Sequence, residues 1–142
     1  MVDEDVLNDM ELAREVISST DFSLVVVQYG KIWKQKEGKG VKSILEIIEE
    51  MGDDLNDTII GTRFLDKASA LLCRYAKVGG VYSPQATKTG IALLIMAGIP
   101  SEIDEIILDV KNIDADSLYG LERMLSDVDS PEEAYKILKE KI

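Results

Sequence analysis

The first third of the chain changes from a helical to a strand-like apolar repeat. Four apolar residues recur at steps of four, three and four, which places them on one face of a helix: Val6, Met10, Ala13 and Ile17. In FSLVVVQYGKIWKQK, a β-branched run at Leu24–Val27 leads to Tyr29-Gly30, a pair suited to a turn. We therefore expect a β-hairpin whose first strand is buried on both faces.

Two helices are predicted in the middle of the chain. GVKSILEIIEEM places Val41, Leu45 and Ile48 on one side, and Gly52 ends the helix. After the short extended segment LNDTIIGTR, the apolar residues of FLDKASALLCRYAKV again repeat at helical spacing. Cys73 lies on that apolar face, so we expect a buried core thiol rather than a nucleophile.

The last third predicts two strands and three helices. GGVYS is a brief strand, and the core helix that follows starts at Pro84 with Ser83 as its cap. The segment EIDEIILDV ends as a second strand centred on Ile106, Ile107 and Leu108, which we expect to lie parallel to GGVYS through a right-handed crossover. The tail forms two short helices, the second with a capping box at Ser130.

The order of these elements describes a sheet with helices on both faces. We predict an α/β fold: a three-layer α/β/α domain with a mixed sheet, in which the first two strands are antiparallel. A chain of 142 residues suits one domain. Within it we expect residues 1–110 to form the core and residues 111–142 to form a helical C-terminal extension.

The charge balance argues against polyanionic partners. The chain has 27 acidic and 16 basic residues and a net charge of −11. A field of that sign opposes nucleic acids and anionic membranes, so we expect no nucleic-acid partner and no membrane partner. A local basic pocket can still bind a small anion, because surface charges are screened over about 10 Å.

Histidine is absent and Cys73 is the only cysteine, which limits the available chemistry. A disulfide framework, a Cys/His zinc site and the Ser-His and Cys-His nucleophile pairs are all excluded. We expect no metal and no cofactor. The longest apolar stretches are far shorter than the roughly 20 residues that span a bilayer, and the acidic N-terminus lacks a signal-peptide pattern. The sequence thus predicts a cytoplasmic protein.

Several segments in a fixed order resemble a known family. GVKSILEIIEE and DKASALL are similar to segments of the family named domain of unknown function 1893, and the likeness covers roughly residues 22–100. At two positions the chain departs from the family pattern, with Asp66 in place of Gly and Thr62 in place of an acidic residue. The resemblance implies a cytidine-deaminase-like fold. It also implies a homo-oligomer, because such domains commonly associate through their core helices.

The resemblance further implies where a site would lie. Zinc deaminases place His-x-Glu at one helix start and Pro-Cys-x-x-Cys at the next. Registering DKAS and SPQATK on these starts puts Lys67 and Ser69 at the first motif, and Gln85 and Lys88 at the two Cys positions. None of the four is a good zinc ligand, so zinc-dependent deamination is excluded.

The two helix starts suggest an anion site instead. Converging helix N-termini carry unpaired backbone N–H groups and a partial positive charge. We predict that a nucleotide-like or phosphate-bearing molecule binds in a pocket formed by cations, hydroxyls and one amide: Thr62, Arg63, Lys67, Ser83, Gln85, Thr87 and Lys88. The alternative is that Ser83 and Thr62 only cap their helices and that the lysines are solvated.

Three functions remain open at this point. The first, which we favour, is a non-catalytic ligand-binding or regulatory protein on a metal-free deaminase-like scaffold. The second is a structural subunit that oligomerises without a small-molecule ligand. The third is a metal-independent enzyme that uses Lys67 or Asp66, and the lack of histidine, paired cysteines and clustered carboxylates argues against it. Trp33 on the hairpin is either a partner contact or ordinary packing.

Overall fold

The structure is a computed structural model that describes residues 4–38, 40–107 and 124–141. The described residues form helices α1–α5, strands β1–β6 and a short 3₁₀ turn at Gly52–Leu55. In chain order the elements are α1 Glu4–Ser19, β1 Leu24–Gln28, β2 Lys31–Lys36, α2 Gly40–Met51, β3 Ile59–Thr62, β4 Phe64–Leu65, α3 Lys67–Tyr75, β5 Gly80–Thr87, α4 Lys88–Met96, β6 Ser101–Ile107 and α5 Pro131–Lys141. Among these helices, none combines the length and apolar character needed to cross a bilayer.

The strands form one mixed sheet of six strands. β1 is antiparallel to both β2 and β3, as the hairpin prediction requires for its first pair. β3 and β4 pair with β5 in parallel along one side, and β6 pairs with β5 in parallel along the other. The predicted mixed sheet and the parallel pairing of the last two strands are therefore confirmed.

Helices cover both faces of the sheet, and each face has its own apolar cluster. Successive residues of a strand point to opposite faces, so Val25 and Val27 join the cluster under α1 while Leu24 and Val26 join the other. The α1 cluster contains all but one of the residues predicted for its apolar face: Met10, Ala13 and Ile17 are buried, and Val6 packs partly buried against them. The opposite cluster contains residues of α2, α3, α4 and α5. The expected burial of the first strand on both faces is confirmed.

The hairpin turn is fixed to α1 by a buried carboxylate. Tyr29 and Gly30 have φ angles of 52° and 75°, as a two-residue turn between right-twisted strands requires. The Asp9 side chain, which is only 5 % exposed, accepts hydrogen bonds from both turn amides, at 2.9 Å from Tyr29 N and 2.8 Å from Gly30 N. The turn prediction is confirmed, and the hairpin is held rigidly against the first helix.

The predicted helix start at Pro84 is wrong. The chain up to Thr87 belongs to β5, and α4 begins at Lys88 with Thr87 as its cap. Gln85 and Ala86 pair with β4 on one side and with β6 on the other, so pairing with two neighbouring strands outweighs the local proline signal. Pro84 itself has no partner in either register, which fits a residue that lacks a backbone N–H.

One other boundary differs from expectation, and one helix start agrees with it. Phe64–Leu65 is a short strand rather than the beginning of α3, because these residues pair with Gln85 and Ala86. The tail helix and its cap at Ser130 are confirmed: Ser130 Oγ accepts a hydrogen bond from Glu133 N at 3.3 Å and donates one to Glu132 Oε2 at 3.1 Å. The other predicted tail helix falls mainly on residues 108–123, which lie outside the described residues.

Candidate functional site

The observed starts of α3 and α4 lie side by side, at the carboxyl ends of two neighbouring strands. β4 and β5 are parallel, with Leu65 opposite Ala86, and each is followed at once by a helix start. The carboxyl ends of parallel strands are the usual position for ligand sites in α/β sheets. Gly90 in the first turn of α4 also packs against the backbone that enters α3, since a Cβ atom at Gly90 would lie 3.1 Å from Asp66 O and Leu65 O.

Each of these helices is capped by the side chain that precedes it. Asp66 is fully buried, and its carboxylate accepts a hydrogen bond from Ser69 N at 2.9 Å. Thr87 is nearly buried, and its hydroxyl accepts one from Gly90 N at 3.1 Å. α3 therefore starts with a negative charge of its own, whereas α4 starts with a neutral cap.

The two lysines of the predicted pocket follow these caps directly. Lys67 is 8 % exposed, and its ammonium lies 3.4 Å from Ser126 O and 3.8 Å from the Asp129 carboxylate. The segment that leads into α5 thus reaches the start of α3. Lys88 is exposed on the first turn of α4. Together with Thr87, these are the predicted site residues that the fold brings to the paired helix starts.

Arg63 has a different role from the one its sequence position suggests. Its guanidinium donates to Phe22 O through Nε at 3.2 Å and through Nη2 at 2.6 Å. Nη2 also lies 2.9 Å from both Ile17 O and Thr20 O. These carbonyls belong to the end of α1 and the residues after it, so Arg63 caps the C-terminus of α1 instead of lying at the start of α3.

The remaining predicted site residues lie within strands. Ser83 is fully buried and donates to Gln85 O at 2.8 Å, so it caps no helix. Gln85 is exposed, with its amide 3.4 Å from Glu105 Oε1. Thr62 is fully buried in β3, and within the described part of the chain its hydroxyl has no hydrogen-bond partner. It lies beside the start of α2, because a Cβ atom at Gly40 would be 3.7 Å from Thr62 Oγ1.

Asp66 is the functional feature that sequence reasoning underrated. The sequence presents it as a departure from the family pattern and as a candidate residue of a metal-independent enzyme, although an Asp just before an apolar helical repeat is also a cap signal. Its charge also acts on Cys73, which is 1 % exposed. Burial, reinforced by the Asp66 carboxylate, raises the pKa of the Cys73 thiol to about 12. The expected burial of Cys73 in the core is confirmed.

A cavity elsewhere in the described part of the chain is lined by equal numbers of lysines and glutamates. A groove of about 570 Å³ runs between β2, α2 and α5 and is lined by Lys36, Lys42, Leu45, Glu46, Glu49, Glu50 and Lys139. Lys36 Nζ lies 2.5 Å from Glu50 Oε2, and Lys139 Nζ lies 2.8 Å from Glu49 Oε1. The hydrogen bond from Lys36 lowers the pKa of Glu50, and the one from Lys139 lowers the pKa of Glu49. These charges neutralise one another, so the groove does not select an anion.

Among the described residues, no group of three or more acidic, histidine or cysteine side chains is arranged to hold a metal ion. The polar side chains at the two helix starts are two lysines, one threonine and one buried aspartate. Such a set suits a small anion held between cations better than it suits a cation.

Comparison with known proteins gives the family and the fold. No curated protein matches the sequence. The fold is similar to the crystal structure of a DUF1893 family protein from Thermotoga maritima, with a TM-score of 0.83 and 22 % sequence identity over 100 % of this chain and 93 % of that chain. The family described as Domain of unknown function (DUF1893) matches residues 12–142. The resemblance inferred from the helix segments is therefore confirmed, and the chain belongs to the DUF1893 family.

Proposed function

We propose that this protein binds a small phosphate-bearing or nucleotide-like molecule without catalysis, on a cytidine-deaminase-like scaffold that lacks a metal. The observation that carries the proposal is the pairing of the α3 and α4 starts, with Lys67 and Lys88 on their first turns. The positive ends of two helix dipoles and two lysines then lie at the carboxyl ends of neighbouring strands, where both can act on one bound anion.

The α4 start is the better of the two positions for the anion. Its cap, Thr87, is neutral, so the positive end of the α4 dipole is not compensated by a carboxylate as it is at Asp66. A phosphate between α4 and Lys67 takes over the position of Asp129, whose side chain is 90 % exposed and only loosely paired at 3.8 Å. Such exposed pairs contribute little to stability, so their replacement has a small cost.

The expected affinity is modest. A helix N-terminus contributes roughly 0.3–1 kcal/mol toward an exposed anion, and up to about 2 kcal/mol in a partly buried site. A charge-assisted hydrogen bond from a lysine adds about 1.5–3 kcal/mol. These terms support dissociation constants in roughly the millimolar to micromolar range.

A calorimetric titration with inorganic phosphate and with a nucleoside monophosphate tests the proposal. Lys67→Ala combined with Lys88→Ala should weaken binding at least tenfold. The control pair Lys136→Ala and Lys141→Ala removes the same charge from α5, where both lysines are exposed, and should bind as the unmodified protein does. The proposal fails if the unmodified protein binds neither ligand, or if the two double variants bind equally well.

The absence of a metal stays a prediction with its own check. The chain has no histidine and one cysteine, and that cysteine is buried with a raised pKa. Elemental analysis of the purified protein should find far less than one zinc per chain, and a stoichiometric metal that EDTA removes together with ligand binding would contradict the prediction.

A second candidate function is that of a self-associating structural subunit, and one surface favours it. Ile95 and Met96 on the outer side of α4 are 66 % and 75 % exposed, and Ile106 on the adjacent β6 is 54 % exposed. A helix that is apolar on all sides is typically covered on all sides. α4 also has no acidic residue, so two copies meet there without the repulsion expected between chains of charge −11.

Light scattering after size-exclusion chromatography distinguishes this function. The unmodified protein should form a dimer or larger assembly, and Ile95→Glu should produce monomers. Leu7→Glu, at an exposed apolar position on α1, is the control and should leave the assembly intact. A monomeric unmodified protein excludes the structural-subunit function, while the anion titration remains unaffected by that result.

A further inference from the structure

The edge strand β2 and its turn concentrate the positive charge of an otherwise acidic protein. Residues 22–36 contain three lysines and no acidic residue, while the whole chain has a net charge of −11. Large apolar side chains are exposed in the same short segment: Tyr29 is 74 %, Ile32 42 % and Trp33 54 % exposed. Neither the anion site at the helix starts nor the outer surface of α4 accounts for this combination.

A bulge in β2 arranges the lysines on one face. Val26 pairs with Lys34 and Val27 with Ile32, so Trp33 is an extra residue in the strand. Directly paired residues share a face, and Lys31, Lys34 and Lys36 pair with Gln28, Val26 and Leu24, which all lie on one face of β1. Without the bulge, Lys31 and Lys34 would fall on opposite faces. Ile32, paired with Val27, lies on the other face.

The outer edge of β2 is a template for another strand. Within the described part of the chain, β1 is the one strand that pairs with β2, and Lys31, Ile32, Trp33, Lys34 and Gln35 are all exposed. An edge of this kind presents backbone N–H and C=O groups to any extended chain that approaches it. Main-chain hydrogen bonds then give affinity, and side chains on alternate faces give specificity.

The β1–β2 hairpin is already ordered in the unbound protein. Asp9 fixes the turn through both of its amides, and Trp33 Nε1 donates to Gln28 O at 3.2 Å. A partner therefore does not have to order this hairpin, which lowers the entropic cost of binding. Lys36 is held by Glu50 at 2.5 Å, which leaves Lys31 and Lys34 as the exposed cations of the surface.

We propose that the outer edge of β2 binds an extended acidic peptide segment of a partner protein by strand addition. Carboxylates at alternate positions of the peptide contact Lys31 and Lys34, and the apolar residues between them pack near Ile32 on the other face. A strand edge needs a polypeptide to pair with it, and the lysines require that polypeptide to be acidic. A nucleic acid or an anionic membrane carries a dense negative charge that the net charge of −11 repels over a longer range.

Trp33 is the only tryptophan in the chain, so its fluorescence reports on this surface directly. The probe is a capped octapeptide of alternating Glu and Val. Its control has the same composition with four Glu followed by four Val. We expect a saturable change of Trp33 emission with the alternating peptide, and at least tenfold weaker binding of the control. Methylation of the backbone nitrogens along one edge of the alternating peptide should abolish binding, since it removes the strand hydrogen bonds.

Charge variants of the protein complete the test. Lys31→Glu with Lys34→Glu should lose at least tenfold in affinity and should instead bind a peptide of alternating Lys and Val. The equal charge change at Lys136→Glu with Lys141→Glu should leave the affinity within about twofold. The proposal is wrong if the two Glu/Val peptides bind equally, if neither binds, if the methylated peptide still binds, or if single-stranded DNA or vesicles of anionic lipid bind more tightly than the alternating peptide.

Discussion

The starts of α3 and α4 are alike in geometry but differ in charge, because one cap is a carboxylate and the other is a neutral hydroxyl. Both helices follow a strand of the same parallel pair, and both are capped by a side-chain oxygen that accepts from the amide three residues later. The α3 cap is the buried carboxylate of Asp66, and the α4 cap is the hydroxyl of Thr87. The fold thus supplies two adjacent positive helix ends, and the sequence neutralises one of them. Anion binding should concentrate at the other.

Arg63→Ala should lower stability more than the other substitutions predicted here. It should leave the difference in anion binding between the two helix starts unchanged. The Arg63 guanidinium donates hydrogen bonds to three backbone carbonyls at and just after the end of α1. Each hydrogen bond from a charged donor contributes about 1.5–3 kcal/mol to stability. We expect a loss of about 2 kcal/mol in the free energy of unfolding, measured by urea denaturation. Phosphate affinity should stay unchanged, because Arg63 is not at either helix start. A selective loss of phosphate affinity with full stability would place Arg63 in the site after all.

The next prediction separates the charge of Asp66 from its role as a cap. Asp66→Ala removes the hydrogen bond to Ser69 N and should cost about 1–2 kcal/mol of stability. Asp66→Asn keeps an oxygen acceptor and should cost much less, since Asn is an equally good cap. Thermal unfolding of both variants is the check. Equal destabilisation by Ala and Asn would mean that the charge itself, and not the cap, stabilises the start of α3.

A smaller effect on stability is expected at high pH, where the Cys73 thiol ionises. Cys73 has an ordinary pKa of 9.0, raised to about 12 in the folded chain by burial and by the Asp66 charge. Below pH 9 the thiol is protonated in both states, and its contribution to stability is complete. As the pH rises toward 12 the unfolded chain loses the proton first, so stability should fall. Urea denaturation between pH 8 and pH 10.5 should show a shallower decline for Cys73→Ala than for the unmodified protein. Identical slopes would contradict the shift.

Elements defined by a local repeat could be predicted from the sequence. The apolar face of α1, the buried strand β1 and the Tyr29-Gly30 turn all follow from spacing and residue type. The start of α4 could not, because Pro84 gives a local helix signal while β4 and β6 bind the same segment as a strand. β4 and β6 are distant from this segment in sequence, so a local residue pattern does not predict that they pair with it.

In the candidate site, too, some positions follow from local sequence and others depend on contacts with distant residues. Lys67 and Lys88 lie close to helix starts, as predicted, but both starts are shifted: α3 begins at Lys67 after the strand Phe64–Leu65, and α4 begins at Lys88 with Thr87 rather than Ser83 as its cap. Arg63 was misplaced because its acceptors lie 41–46 residues earlier in the chain. The exposure of β2 was also missed, since lysines alternating with Ile32 and Trp33 suit a half-buried strand as well as an exposed edge.

The measurement that tests the central claim most directly is phosphate titration of Thr87→Asp. Asp caps a helix at least as well as Thr, so the variant should fold with unchanged or slightly higher stability. It also gives α4 the carboxylate that α3 already has, which removes the difference between the two starts. We predict at least a tenfold loss of phosphate affinity, and a slight gain for Asp66→Asn measured beside it. If Thr87→Asp binds phosphate as tightly as the unmodified protein, the anion does not bind at the start of α4 and the account is wrong.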